Sequence, residues 1–118
     1  MAQYEELKID QGSDVTIELH LANIDGTKKN LTGYDVAAQM RRTINTSDSD
    51  AVTFNSIVLD PAEDGIVHLK LTNVQTDALM PKRHLFDVEI SFEDSDSITY
   101  IERVLEGIID VSPSITRV

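Results

Sequence analysis

Two loops of the chain alternate carboxylates with hydroxyls: Ser47-Asp48-Ser49-Asp50 and Glu93-Asp94-Ser95-Asp96-Ser97. Oxygen ligands arranged this way suit a hard cation such as calcium, which makes Asp48, Asp50, Asp94 and Asp96 the candidate metal ligands. Neither loop carries the glycine and the distant bidentate glutamate of an EF-hand, so solvated hairpin tips are the favoured reading. The histidines are His20, His68 and His84. No two of them stand at metal-ligand spacing, and His20 and His68 fall at polar positions of alternating segments. No Gly-x-Ser-x-Gly elbow, phosphate-cradling loop or His-Glu-x-x-His helix occurs. The sequence therefore assigns no catalytic residue, no metal and no cofactor. Carboxylates that meet only in the folded chain are the one route left to an active site.

The basic residues are scarce and grouped. Arg41-Arg42, Lys82-Arg83, Arg103 and Arg117 hold six of the ten in a chain of net charge −11. The plainer reading pairs them across strands with Asp87, Glu89, Glu102 or Glu106, each pair contributing about 0.2–1 kcal/mol. The sharper reading makes Arg41, Arg42, Arg103 and Arg117 contacts for another acidic subunit. Exposed ion pairs are common and weak, which favours the plainer one.

The frame that must carry these residues is 118 residues long, enough for one domain with a real core. Apolar residues make up 41% and charged residues 26%, ordinary globular values, and the chain has no cysteine and no tryptophan. Disulfides and thiolate zinc sites are thereby excluded, and the core must rest on Val, Ile and Leu. So acidic a surface repels phosphate backbones, which argues against nucleic-acid binding. Met1 to Asp10 has neither a basic nor an apolar leader segment, and no run is apolar enough to span a bilayer. A soluble product of the cytoplasm, with no membrane partner, is the expectation. Two Asn-x-Ser/Thr sequons, at Asn30 and Asn45, matter only in a secreted eukaryotic protein.

Period-2 patterning runs nearly throughout. Leu7 and Ile9 alternate, then Val15, Ile17, Leu19 and Leu21, then Val36, Ala38 and Met40. Val52, Phe54 and, after a register shift, Ile57 and Leu59 predict a further strand. Val67, Leu69 and Leu71 follow, then Phe86, Val88, Ile90 and Phe92, and Ile98 to Val111 reads as a long last strand. Gly107 within it predicts a bulge. Turns fall at Asp25-Gly26 and Asp60-Pro61 to Gly65. One segment differs: Thr72 to Met80 places Val74, Ala78 and Leu79 at helical spacing behind good N-cap types and before Pro81. About seven or eight short strands and one helical turn predict an all-β antiparallel sandwich forming a single domain over residues 1–118. In it Asn30-Leu31-Thr32-Gly33-Tyr34 is a corner: Gly33 supplies a backbone angle, Leu31 caps the core and Tyr34 packs its ring.

The order of these signals resembles a family of small phage virion domains. It begins with Ile9-Asp10-Gln11-Gly12 and passes through Asn30-Leu31-Thr32-Gly33-Tyr34 to Gln39-Met40-Arg41. Gly65-Ile66-Val67 and Thr76-x-x-Leu79 follow, then Phe86-Asp87-Val88-Glu89-Ile90. It closes with Val104-Leu105-Glu106-Gly107, Val111, Pro113 and Thr116-Arg117. This succession looks like the N-terminal domain of phage baseplate upper proteins and tail-fibre attachment domains, and like small structural proteins of T4-like marine phages. Gly12, Leu31, Gly33, Tyr34, Asp87, Glu89 and Gly107 carry the signature. The resemblance implies an immunoglobulin-like sandwich, without enzymatic activity, that joins other virion structural proteins and is present in several copies or as a homo-oligomer. A place in the tail, baseplate or neck is implied, with capsid decoration or a head fibre as the alternative. A calcium- or carbohydrate-binding module is the reading from another class. Longer members continue past the Val-x-Pro-x-x-Thr-Arg ending, so no fibre shaft is expected here. Met1 to Glu5 and Ser112 to Val118 are the candidate extended arms.

Overall fold

The computed structural model describes residues 3–116. Eight strands follow in order: β1 Gln3–Asp10, β2 Val15–His20, β3 Asp35–Arg41, β4 Val52–Thr53, β5 Asn55–Val58, β6 Ile66–Leu71, β7 Arg83–Glu93 and β8 Thr99–Ser112. One short α-helix, α1 (Asn73–Asp77), sits between β6 and β7, and single 3-10 turns lie at Asp48–Asp50 and Ala62–Asp64. The strands form two sheets, ordered β1-β8-β7-β3-β4 and β2-β6-β5. The alternating apolar residues of both meet in one core that includes Ile9, Met40, Val67, Leu69, Val88, Ile90 and Ile109.

Strand order identifies the architecture. The second, sixth and fifth strands make one sheet, and the last, seventh, third and fourth lie side by side in the other. That is the B-E-D and G-F-C-C′ arrangement of an immunoglobulin-like sandwich. The first strand pairs wholly with the last, in parallel, from Gln3 opposite Leu105 to Asp10 opposite Ser112. All other ladders are antiparallel. The chain has no cysteine, so the sheets are closed without a disulfide.

Several local expectations are corrected. The strand foreseen from Val52 to Leu59 is two strands in different sheets, divided at buried Phe54. Within β5 the half-buried residues are Ser56 and Val58 while Ile57 faces outward, and Leu59, just past the strand, is half-buried. Gly107 is not the bulge. The register shift lies between Val88 and Glu89, whose partners are Leu105 and Arg103, so Val104 is the extra residue. The face shared with Val88 and Ile90 passes there from the even phase of Glu102, which is exposed, to the odd phase of buried Leu105, Ile109 and Val111. Gly107 has a different cause: a Cβ built on it would overlap the Glu5 carbonyl oxygen of β1.

The helical turn stands where it was expected, but its apolar spacing does not mark the buried face. Thr72 accepts a hydrogen bond from the Gln75 backbone N–H, and the Gln75 side chain accepts one from the Thr72 N–H, a complete capping box. Val74 is 74% exposed, Ala78 also faces solvent, and Thr76 and Leu79 are the inward residues. Thr76 is fully buried, donating to the Ser13 carbonyl (2.8 Å) and accepting from the Gly12 N–H (3.1 Å). The Gln11 amide donates to the Leu79 carbonyl (2.9 Å), and its oxygen accepts from the Ser114 N–H (3.0 Å). One end of the sandwich is thereby latched across the β1–β2 turn, α1 and the C-terminal segment.

Candidate functional site

The acidic loops lie at opposite ends of the larger sheet. Arg41 pairs with Leu85 and Asp35 with Ser91, so the loop after β3 and the β7–β8 hairpin tip point apart. In the first, Asp48 accepts from Arg41 (2.8 Å) and Asp50 from the Ser47 hydroxyl (3.1 Å). In the second, one oxygen of Asp94 accepts the N–H groups of Asp96 (2.9 Å) and Ile98 (3.0 Å), and Ser97 takes a left-handed φ of 63°. These bonds hold the Asp94 carboxyl below the usual carboxylate range, the one from Ile98 most. Each loop spends carboxylates on its own turn. Among the described residues no group of three or more His, Asp or Glu is placed to hold a metal ion.

The histidines part company. His20 and His68 both lie within hydrogen-bond reach of Glu18, at 2.8 and 2.9 Å, on the outer face of the smaller sheet. His68, then His20, hold the Glu18 carboxyl below its ordinary range. His84 is instead buried, 4% exposed, with Nδ1 3.0 Å from the Lys82 carbonyl. Burial pushes its pKa down, that hydrogen bond opposes the shift, and Arg42 adds to it.

The arginines are engaged locally. Arg103 meets Asp87 at 3.3 Å and Glu106 at 3.4 Å. Arg83 meets Asp110, also at 3.3 Å. Arg41 donates to the Thr46 carbonyl (2.6 Å) besides its pair with Asp48. Arg42 donates to the Arg83 carbonyl. Glu89 stands opposite Arg103 in the ladder. Arg117 lies outside the described residues, as do the outer ends of the two foreseen arms. Gln3 to Glu5 belongs to β1 and Ser112 to β8, which ties the described parts of those arms into the sheet.

The Asn30–Tyr34 corner has the geometry of a type II turn. The Tyr34 N–H reaches the Leu31 carbonyl (3.0 Å), and Gly33 sits third with φ 82°. Asn30 Oδ1 accepts from the Thr32 N–H (2.9 Å) and hydroxyl (2.7 Å), and Leu31 is buried. Tyr34 meets Phe92 edge to face at 5.2 Å, and Phe92 stacks on Tyr100 at 5.0 Å. The rings pack on each other, which pins this corner, while Phe92 and Tyr100 keep an exposed face.

What strand-by-strand reading missed is the side of the molecule between β1 and β2. Because β1 belongs entirely to the larger sheet, β2 has β6 on one flank and, among the described residues, no strand on the other. The Leu21 N–H donates to the Gly65 carbonyl (2.8 Å), which fixes the ladder's phase. Val15, Ile17 and Leu19 turn their peptide groups to β6, while Thr16, Glu18 and His20 turn theirs outward. Between this edge and β1 lies a depression of about 240 Å³ floored by Leu7, Ile17, Leu19 and Leu105, with Glu5 and Glu18 on its rim. It continues past Gln3 and Leu21 into a wider, open recess of about 730 Å³ beside Ile24 and Lys29. Unpaired edges, an apolar floor and an acidic rim make a surface for binding a chain. Alternation in Val15–Leu21 gave half of this; which side of β2 is bare is a matter of topology.

No known family's model matches the chain, and no curated protein matches it. Among solved structures, that of murine CRIg is similar over 93% of this chain and 92% of its own, with 19% identity and a TM-score of 0.47. AggA, the major subunit of aggregative adherence fimbriae type I from Escherichia coli, is similar over 91% of this chain and 89% of its own, with 7% identity and a TM-score of 0.44. Likenesses this distant add nothing to what strand order establishes: the chain is an all-β, immunoglobulin-like sandwich.

Proposed function

We propose that this protein is a non-enzymatic virion structural protein of a tailed phage, made in the host cytoplasm and built into the particle in several copies. Its role is to attach or bridge neighbouring subunits in the tail, baseplate or neck. The observation that carries the bridging role is the open side of the sandwich, where β2 keeps a bare edge beside an apolar groove. The phage assignment rests on the ordered run from Ile9 to Arg117, and the absence of catalysis on a lack of converging reactive groups among the described residues. Isolated edges are hazards that monomeric proteins usually cover, and a subunit that docks to others has a use for one.

Mass spectrometry of purified particles tests the reading, with the protein expected at a fixed stoichiometry to known tail components. Finding it in infected lysate and never in purified particles would overturn the proposal. Labelling against a head-specific marker separates the tail position from capsid decoration.

A further inference from the structure

We propose that the bare edge of β2 accepts an extended, basic segment of a neighbouring subunit as an added strand. The inference rests on the bridging role just given and names its partner by chemistry. Three residues, Thr16, Glu18 and His20, offer an N–H and a C=O each at the spacing of a strand, and no strand of the described chain takes them up. The segment that occupies this flank in constant-type immunoglobulin domains is strand A, here committed to β8 instead.

An incoming strand paired to β2 turns alternate side chains toward the depression over Leu7, Ile17 and Leu19. Apolar residues at those positions bury what is now a half-covered floor. The intervening side chains point outward beside Glu18, with Glu5 on the opposite rim, so Lys or Arg fits there and Asp or Glu does not. The same charge argues against a second copy. Two chains of net charge −11 repel, and antiparallel pairing of two β2 edges about their centre sets Glu18 near Glu18.

The test uses two synthetic ten-residue peptides, one alternating Val with Lys and Thr, the other carrying Glu in place of Lys. Amide exchange is followed by NMR on the intact protein. The expected result is slowed exchange at Thr16, Glu18 and His20 with the Lys peptide. Binding should be at least tenfold weaker with the Glu peptide and should fall as salt rises. Glu18→Lys should reverse the preference between the two peptides. Because Glu18 is exposed, this variant is expected to fold. No protection by either peptide, or protection confined to β5 or β1, overturns the edge assignment. Equal binding of both peptides overturns the basic partner. Protection that grows with protein concentration alone assigns the edge to a second copy and overturns the proposal. Each outcome is read without particles, so it stands apart from the particle assay that judges the virion role.

Discussion

Thr76 ties two elements together through one buried hydroxyl. It has no exposure, and its hydroxyl joins the β1–β2 turn to α1 from both sides. Thr76→Val keeps the shape and leaves the Gly12 N–H and the Ser13 carbonyl without a partner. A loss of about 1–3 kcal/mol is expected by urea denaturation. His84 supplies a pH dependence. Burial lowers its folded pKa, while the unfolded chain titrates near about 6.5. The unfolded state then binds more protons below that pH, so the His84 contribution is complete above it and declines on acidification toward the lowered folded value. His84→Gln, which keeps a donor for the Lys82 carbonyl, should show a shallower fall in melting temperature between pH 7 and pH 5. Neither role is readable from the chain. Thr76 looks like one more polar helix residue and His84 like one more strand histidine until the fold closes over them.

At the scale of elements, β8 holds the molecule together, pairing with β1 on one side and β7 on the other. Its bulge at Val104 lets one strand serve an exposed hairpin first and the core afterwards. Gly107 lets β1 approach. Gly107→Val drives a side chain into the Glu5 carbonyl, and a destabilisation of about 1–3 kcal/mol or more is expected. Exchange measurements should find β1 amides released first and the β2–β6–β5 sheet spared. Equal loss of protection in both sheets would contradict this account of Gly107. Alternation located these strands well wherever one face is buried. It misplaced the bulge because Val104 and Leu105 are both apolar. It misassigned residues 52–59 because a sheet switch leaves the same apolar tally as a register shift.

As a whole, the molecule measures 48 × 27 × 22 Å, longer than a compact sphere of its size would be. Part of that length is the β7–β8 hairpin, where Thr99 to Arg103 are all exposed. Asp94 at its tip serves its own turn and Asp48 at the far end is tied to Arg41, so calcium finds no shared cage between them. Millimolar calcium should leave the melting temperature unchanged; a rise of several degrees that Asp94→Asn abolishes would restore the calcium-binding reading. The sequence by itself determined that the chain is all-β and cysteine-free, where most strands run, and that its surface is acidic. These follow from side-chain period and composition, which are local. Only the tertiary structure decided that β1 joins β8 in parallel and leaves β2 bare. Strand partners are chosen by how both sheets jointly bury Ile9, Val88 and Ile109, a condition that no single stretch of sequence contains.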